Sequence, residues 1–211
     1  MKIGVLGAGR MAEGLVPLWT AAGHEVLIGG RTHEKTAKLA ELVGARAGTL
    51  RDAAEFGDVL FLAVLEAGVD ATLRDAGAAE GALEGKVVID CSNQIEHEHF
   101  TLSSTTSVSE RVAEASGALV AKAFNQVHYD VWRQRASFAG QRLVVPIAGD
   151  EAAKRAAARL VRDAGAEPLD VGGLEQASNL EAIAAVVIKL LFGGAAPLSA
   201  FQFMVGTPAA A

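Results

Sequence analysis

The segment KIGVLGAGRMAEG, residues 2–14, constrains the fold more than any other stretch of the chain. Ile3 to Leu6 is an apolar run with the length and branching of a buried strand, and Gly7, Gly9 and Ala12 follow it in G-x-G-x-x-A spacing. That spacing lets Gly7 turn tightly, keeps the backbone bare at Gly9 for a close ligand, and seats the next helix near the sheet at Ala12. The helix start then offers unpaired N–H groups and the positive end of a dipole, which suits a pyrophosphate. The pattern predicts a Rossmann first turn, with Arg10 and Met11 inside it. Arg10 reads either as a charge-assisted phosphate contact or as a solvated turn residue.

A second strand, Glu25 to Gly29, follows the turn Gly23-His24. A site for NAD ends this strand with Asp or Glu to hold the ribose hydroxyls, whereas this chain continues Gly30-Arg31-Thr32. A carboxylate repels a 2′-phosphate. Arg31 can bind one bidentately, the Thr32 hydroxyl can donate to it, and Lys35 lies one helical turn on as a point charge. The residues therefore predict NADP(H) rather than NAD, against the plainer reading of a Thr-capped helix start.

The 211 residues suffice for one substantial core, and no composition shift marks a linker. We expect one domain over residues 1–211, with a dinucleotide-binding core at about 1–122 and an acceptor-side, C-terminal extension at about 123–206. Strand–helix alternation runs through Ala45–Gly48, Leu50–Phe56, Asp58–Val64, Val69–Gly77, Lys86–Asp90 and Ala118–Ala121, which predicts a doubly wound parallel α/β sheet. Ser107 and Glu110 have capping-box spacing for a helix to Ala115. Extra C-terminal elements follow: a strand Leu143–Ala148, a helix Asp150–Ala164 with Asp150 as N-cap, a strand Glu167–Val171, and a hydrophobic helix from Leu174 to Leu191. That helix is apolar on all faces, which predicts a homodimer core or burial within the monomer. A flexible-looking tail follows Thr207. A net charge of −6 and pI near 5.4 argue against nucleic acid or an anionic membrane as partner. Cys91 is the single cysteine, and neither a signal-peptide pattern nor a bilayer-length apolar run is evident, so a cytoplasmic protein is expected.

In an open α/β sheet the ligand lies beyond the C-terminal ends of the strands. Beyond the first two, those ends are Ala63–Ala67, Asp90–Gln94 and Ala123–His128. Asn93 and Asn125 can orient a carboxamide there, or they cap turns. The acid–base candidates are His128, Tyr129, Lys122 and Cys91; a His following a strand is more often a structural donor, with proton donation to a reduced product the alternative for His128, and Cys91 reads most simply as a small buried residue. His97 and His99 alternate with Glu96 and Glu98 without a complete ligand set, so a solvated loop and no metal are expected.

Taken together, VLGAGRM, GGRTHEK, DVLFLAV, KVVIDCSNQ, VAKAFNQV, VVPIAGDEAAK and AGAEPLDVGGLEQASNLE resemble the NADPH-dependent reductases of the deazaflavin coenzyme F-420 and their flavin-reducing relatives in bacteria and membranes. The similarity covers nearly the whole chain. It implies direct hydride transfer between a nicotinamide and a deazaflavin stacked in one cleft, with little need for a protein acid or base. It also implies that Gly7, Gly9, Arg10, Met11 and Ala12 hold the pyrophosphate and that Gly30, Arg31, Thr32 and Lys35 surround the 2′-phosphate. Ala63, Val64 and Leu65 would pass under the nicotinamide ribose, with Asn93, Ala123 and Asn125 bordering the nicotinamide. The chain departs from its relatives at Leu65 and Gln94, where they commonly carry Pro, and at His128, where a Pro or small residue is usual. These departures line the acceptor side. Reduction of a flavin, imine or carbonyl compound, or NADP sensing without turnover, therefore stay as alternatives.

Overall fold

The computed structural model describes residues 1–135, 141–197 and 202–205. The expected tail after Thr207 lies outside the described residues. The elements run β1 (Lys2–Leu6), α1 (Arg10–Ala21), β2 (Glu25–Gly29), α2 (His33–Val43), β3 (Arg46–Gly48), α3 (Leu50–Phe56), β4 (Val59–Leu62), α4 (Val69–Asp75) and β5 (Val87–Asp90). They continue with β6 (Ile95–Glu96), β7 (Thr101–Leu102), α5 (Val108–Ser116), β8 (Leu119–Lys122), α6 (Tyr129–Arg133), β9 (Arg142–Gly149), α7 (Glu151–Asp163), β10 (Glu167–Gly172), α8 (Ala177–Phe192) and β11 (Met204–Val205).

Six parallel strands stand in the order β3-β2-β1-β4-β5-β8, the doubly wound Rossmann arrangement with its crossover between β1 and β4. The sheet then departs from a purely parallel design. β9 runs antiparallel to β8 through Ala121↔Gly149 and Lys122↔Ala148, β10 runs parallel to β9, and β11 pairs antiparallel with the start of β9. Two apolar layers cover the sheet. One gathers Ile3, Val5, Trp19, Phe61 and Phe124, and the other Leu6, Leu50, Leu60, Leu62, Val88 and Val112. Strands buried on both faces explain the unbroken apolar runs of β1, β4 and β5.

Both halves of the Ser107–Glu110 capping box form at the start of α5. Asp150 stands at the N-cap position of α7, but its side chain does not cap that helix; its carboxylate accepts the Val120 N–H at 2.8 Å instead. The competition was invisible along the chain because Val120 belongs to the neighbouring strand. Around His97, residues 95–102 form a short β6–β7 hairpin whose tip the Glu96 carboxylate closes by accepting the Glu98 and His99 backbone N–H groups.

The C-terminal helix is sided rather than buried all round. Leu180, Glu181, Ala184, Ala185 and Val187 face the protein, whereas Val186 is 58% and Leu190 44% exposed. No helix among the described residues is long and apolar enough to cross a membrane.

Candidate functional site

The C-terminal ends of β1, β2, β4, β5 and β8 converge on one edge of the sheet, and the loops leaving them build the site from the residues upward. Gly7 adopts φ +126°, and a Cβ there would stand 2.6 Å from the Ala63 carbonyl oxygen. Only a glycine tolerates both the angle and the contact. This packing presses the first turn against the Ala63–Val64 segment. At Gly9 a Cβ would meet only the Ala63 oxygen, at 3.5 Å, so the space beside the turn is open. Gly9 is also the N-cap of α1 and supplies no side-chain cap, which leaves the first-turn N–H groups for an anion. Ala12 is fully buried at the sheet, as the spacing requires.

Beyond β2, Gly30 packs so tightly on Thr36 that a Cβ would collide with its hydroxyl. Arg31, Thr32 and Lys35 are exposed around the start of α2, and Thr32 is an N-cap whose side chain makes no capping bond. Among the described residues neither Arg31 nor Lys35 has an ion-pair partner. Two free cations and a free hydroxyl beside a strand end fit a phosphate ester.

Arg10 is exposed, and its guanidinium lies 5.0 Å from the centre of the Tyr129 ring, which itself stacks 4.1 Å from the His128 ring. His128 is the N-cap of α6, its Nδ1 accepting the Asp130 N–H at 3.3 Å. Burial holds its imidazole below the usual range and the Arg10 charge adds to this, against an opposing pull from Asp130.

The turn after β8 is shaped by Phe124, which takes φ +64° although it has a bulky side chain. Such a conformation costs about 1–3 kcal/mol. Phe124 makes edge contacts with Trp19, Phe61 and Trp132 at ring separations of 5.9, 5.9 and 5.6 Å. At about 0.5–1.5 kcal/mol per aromatic pair, these contacts offset the strain. The turn brings Asn125 to Asn93: Asn125 Nδ2 donates to Asn93 Oδ1 at 2.8 Å and to the Leu180 carbonyl at 3.1 Å, while Asn93 Nδ2 donates to the Asn125 carbonyl at 3.0 Å. Ala123 is fully buried just before Asn125, and Leu65, after β4, is 86% exposed.

Two of the acid–base candidates are committed elsewhere. Lys122 is fully buried between Asp90 and Glu181, 2.6 Å from each, and is no free acid. Cys91 donates its thiol to the Leu62 carbonyl, and burial pushes its ionisation above the usual range. Glu181 escaped the sequence reading because its helix was judged by its apolar residues. A lone acid on the buried side of such a helix was the available signal, since a buried charge demands a partner. Glu96, Glu98 and His99 bring ligand atoms within 4.8 Å of one another, but this group is exposed or half-exposed at the hairpin tip. A cavity of about 650 Å3 lies among α1, α6, α7 and the start of β9, lined by Leu18, Trp132, Arg135 and Asp163. Its lining includes no residue of the glycine turn and takes in Arg135 and Gln141, which flank the segment 136–140.

The strand order, the glycine turn and the free cations beyond β2 define a Rossmann-type dinucleotide-binding protein. Residues 2–94 match the family model described as NADP oxidoreductase, coenzyme F420-dependent. This segment is thus similar to that family of NADP oxidoreductases. The chain is 28% identical to the F420-dependent NADP reductase of Methanothermobacter marburgensis, over 90% of this chain and 92% of that protein. It is also 32% identical to the metalloreductase STEAP3 of Rattus norvegicus, over 86% of this chain, although the match spans only 36% of the rat protein. Among solved structures, a protein of Arthrobacter sp. FB24 provisionally named an F420-dependent NADP reductase superposes with a TM-score of 0.79 at 26% identity. That match covers 92% of this chain and 94% of that one.

Proposed function

We propose that the chain is an NADPH-dependent reductase that passes hydride between the nicotinamide and a deazaflavin of the coenzyme F420 type, stacked against it in one cleft. NADPH supplies the hydride when bound. In this reading Gly7, Gly9 and the first turn of α1 hold the pyrophosphate, with Arg10, Met11 and Ala12 around it. Arg31, Thr32 and Lys35 take the 2′-phosphate. Ala63, Val64 and Leu65 run beside the nicotinamide ribose, and Ala123 and the Asn93–Asn125 pair border the ring. The chain's work is to position two rings and exclude water between them, and such alignment alone gives a large effective molarity.

The observation that carries the reading is the commitment of Lys122 and Cys91 to buried structural bonds. Hydride transfer between two rings needs neither, and the accompanying proton comes from solvent. His128 supports a second reading. It is half-buried beside Tyr129, and it could serve as proton donor for an imine or carbonyl substrate.

The test is consumption of NADPH with a deazaflavin, a flavin, and a panel of imines and carbonyls, for the wild type and for His128→Ala. Rapid deazaflavin reduction that survives His128→Ala is expected. Turnover of an imine or carbonyl alone, lost in His128→Ala, would establish the second reading. Tight NADPH binding with no acceptor turned over would make the protein a sensor of NADP.

A further inference from the structure

The ends of β5 and β8 and the start of α8 meet in a charged cluster that hydride transfer does not use. Lys122 Nζ lies 2.6 Å from Asp90 Oδ2, 2.6 Å from Glu181 Oε1 and 2.7 Å from the Ser92 carbonyl. All three charged side chains are fully buried. One ammonium therefore faces two carboxyls in a site without solvent. Asp90 is equipped to carry charge: the Ser92 N–H and hydroxyl donate to its Oδ1, and the Ser109 hydroxyl and Lys122 to its Oδ2. Glu181 is not. Its Oε1 accepts the Val108 N–H at 2.9 Å, but its Oε2 is enclosed with no donor aimed at it. The charged groups acting on Glu181 are Lys122 of β8 and Asp90 of β5, and α5 adds only the Val108 N–H. A second uncompensated anion is costly in such a place, and protonation removes it.

Glu181 also adjoins the carbonyl that the site depends on. Leu180, its neighbour in α8, accepts the Asn125 side-chain N–H at 3.1 Å, and Asn125 is locked reciprocally to Asn93. The cluster is thus tied through adjacent residues of α8 to the amide pair beside the proposed nicotinamide.

We propose that Glu181 is a positioning residue that, as a neutral acid, clamps α8 so that the Leu180 carbonyl orients the Asn93–Asn125 pair. The inference rests on the reading that this pair borders the nicotinamide. Burial raises the Glu181 carboxyl above its usual range, the direction the neutral form requires, while Lys122 opposes it. An acid raised in the folded state contributes stability that is fully present below its unfolded value of about 4.3 and is lost as pH rises through the folded value. Glu181→Gln keeps the shape and the neutrality, and so removes that loss.

The experiment measures thermal unfolding of the wild type and Glu181→Gln from about pH 5 to about pH 9, a range that lies above the unfolded value. It also measures kcat and KM for NADPH in the wild type, Glu181→Gln, Glu181→Ala and Asn125→Ala. The melting temperature of Glu181→Gln relative to the wild type should climb as pH rises, with kcat/KM within about twofold of the wild type. Glu181→Ala should lower kcat/KM roughly tenfold or more, the scale on which sub-ångström misplacement acts. A relative melting temperature that stays flat across this range would show Glu181 to be charged in the folded state at every pH measured, as a partner of Lys122, and overturn the neutral clamp. Unchanged kcat/KM in Glu181→Ala, with Asn125→Ala impaired, would overturn the positioning role and leave the site reading standing. If Asn125→Ala were also silent, the site reading would fail and the inference with it.

Discussion

Replacing Arg31 with Ala tests the cofactor reading at the position where sequence and structure most sharply separate NADP from NAD. Arg31 is exposed beyond β2, and no carboxylate among the described residues competes for it, so its removal breaks no internal ion pair. A hydrogen bond to a charged group is worth about 1.5–3 kcal/mol, and exposure places this one at the lower end. About 1.5 kcal/mol corresponds to roughly a tenfold rise in Kd. Lys35, a more hydrated point charge, should add a further factor of about two to five when removed together with Arg31. NADH has no 2′-phosphate, so its affinity should move by less than about twofold in both variants. Isothermal titration with NADPH and NADH at low and high salt measures all of this. The difference between wild type and variant should shrink with salt, because exposed charges are screened over a Debye length of about 8 Å at physiological ionic strength. Equal weakening of NADPH and NADH would mean that Arg31 acts through the fold. No change with either would remove it from the phosphate site.

Two further outcomes follow from the geometry. Gly7→Ala should lower the melting temperature and weaken NADPH binding by more than about tenfold, because its Cβ would meet the Ala63 oxygen at 2.6 Å and Val64 Cγ1 at 2.8 Å at a φ of +126°; binding calorimetry and thermal unfolding check it together. His128, lowered by burial, contributes stability that is present above its unfolded value of about 6.5 and is lost as pH falls through the folded value. His128→Asn should therefore flatten the acid side of the melting-temperature profile, and an unchanged slope would show that another group controls it.

The dinucleotide half was open to sequence reasoning because its determinants are local. Buried parallel strands must be apolar throughout, a turn at positive φ must be glycine, and a capping box lies within four residues, so β1, β2, β5 and the start of α5 carry their own instructions. The acceptor side was less legible. Asp150 suits an N-cap by sequence, and only the adjacent Val120 N–H draws its carboxylate away. Lys122 has the composition of a free acid until β5 and α8 enclose it with Asp90 and Glu181. Asn93 and Asn125 could each be placed at a strand end from the sequence, but their mutual pairing spans 32 residues and the Leu180 contact spans 55. The sequence by itself thus determined the Rossmann core and the glycine turn after β1, since backbone geometry there acts residue by residue. Tertiary structure alone decided the direction of β9, the sidedness of α8 and the charge cluster beneath the site, because those depend on which buried polar groups meet once distant strands and helices are packed.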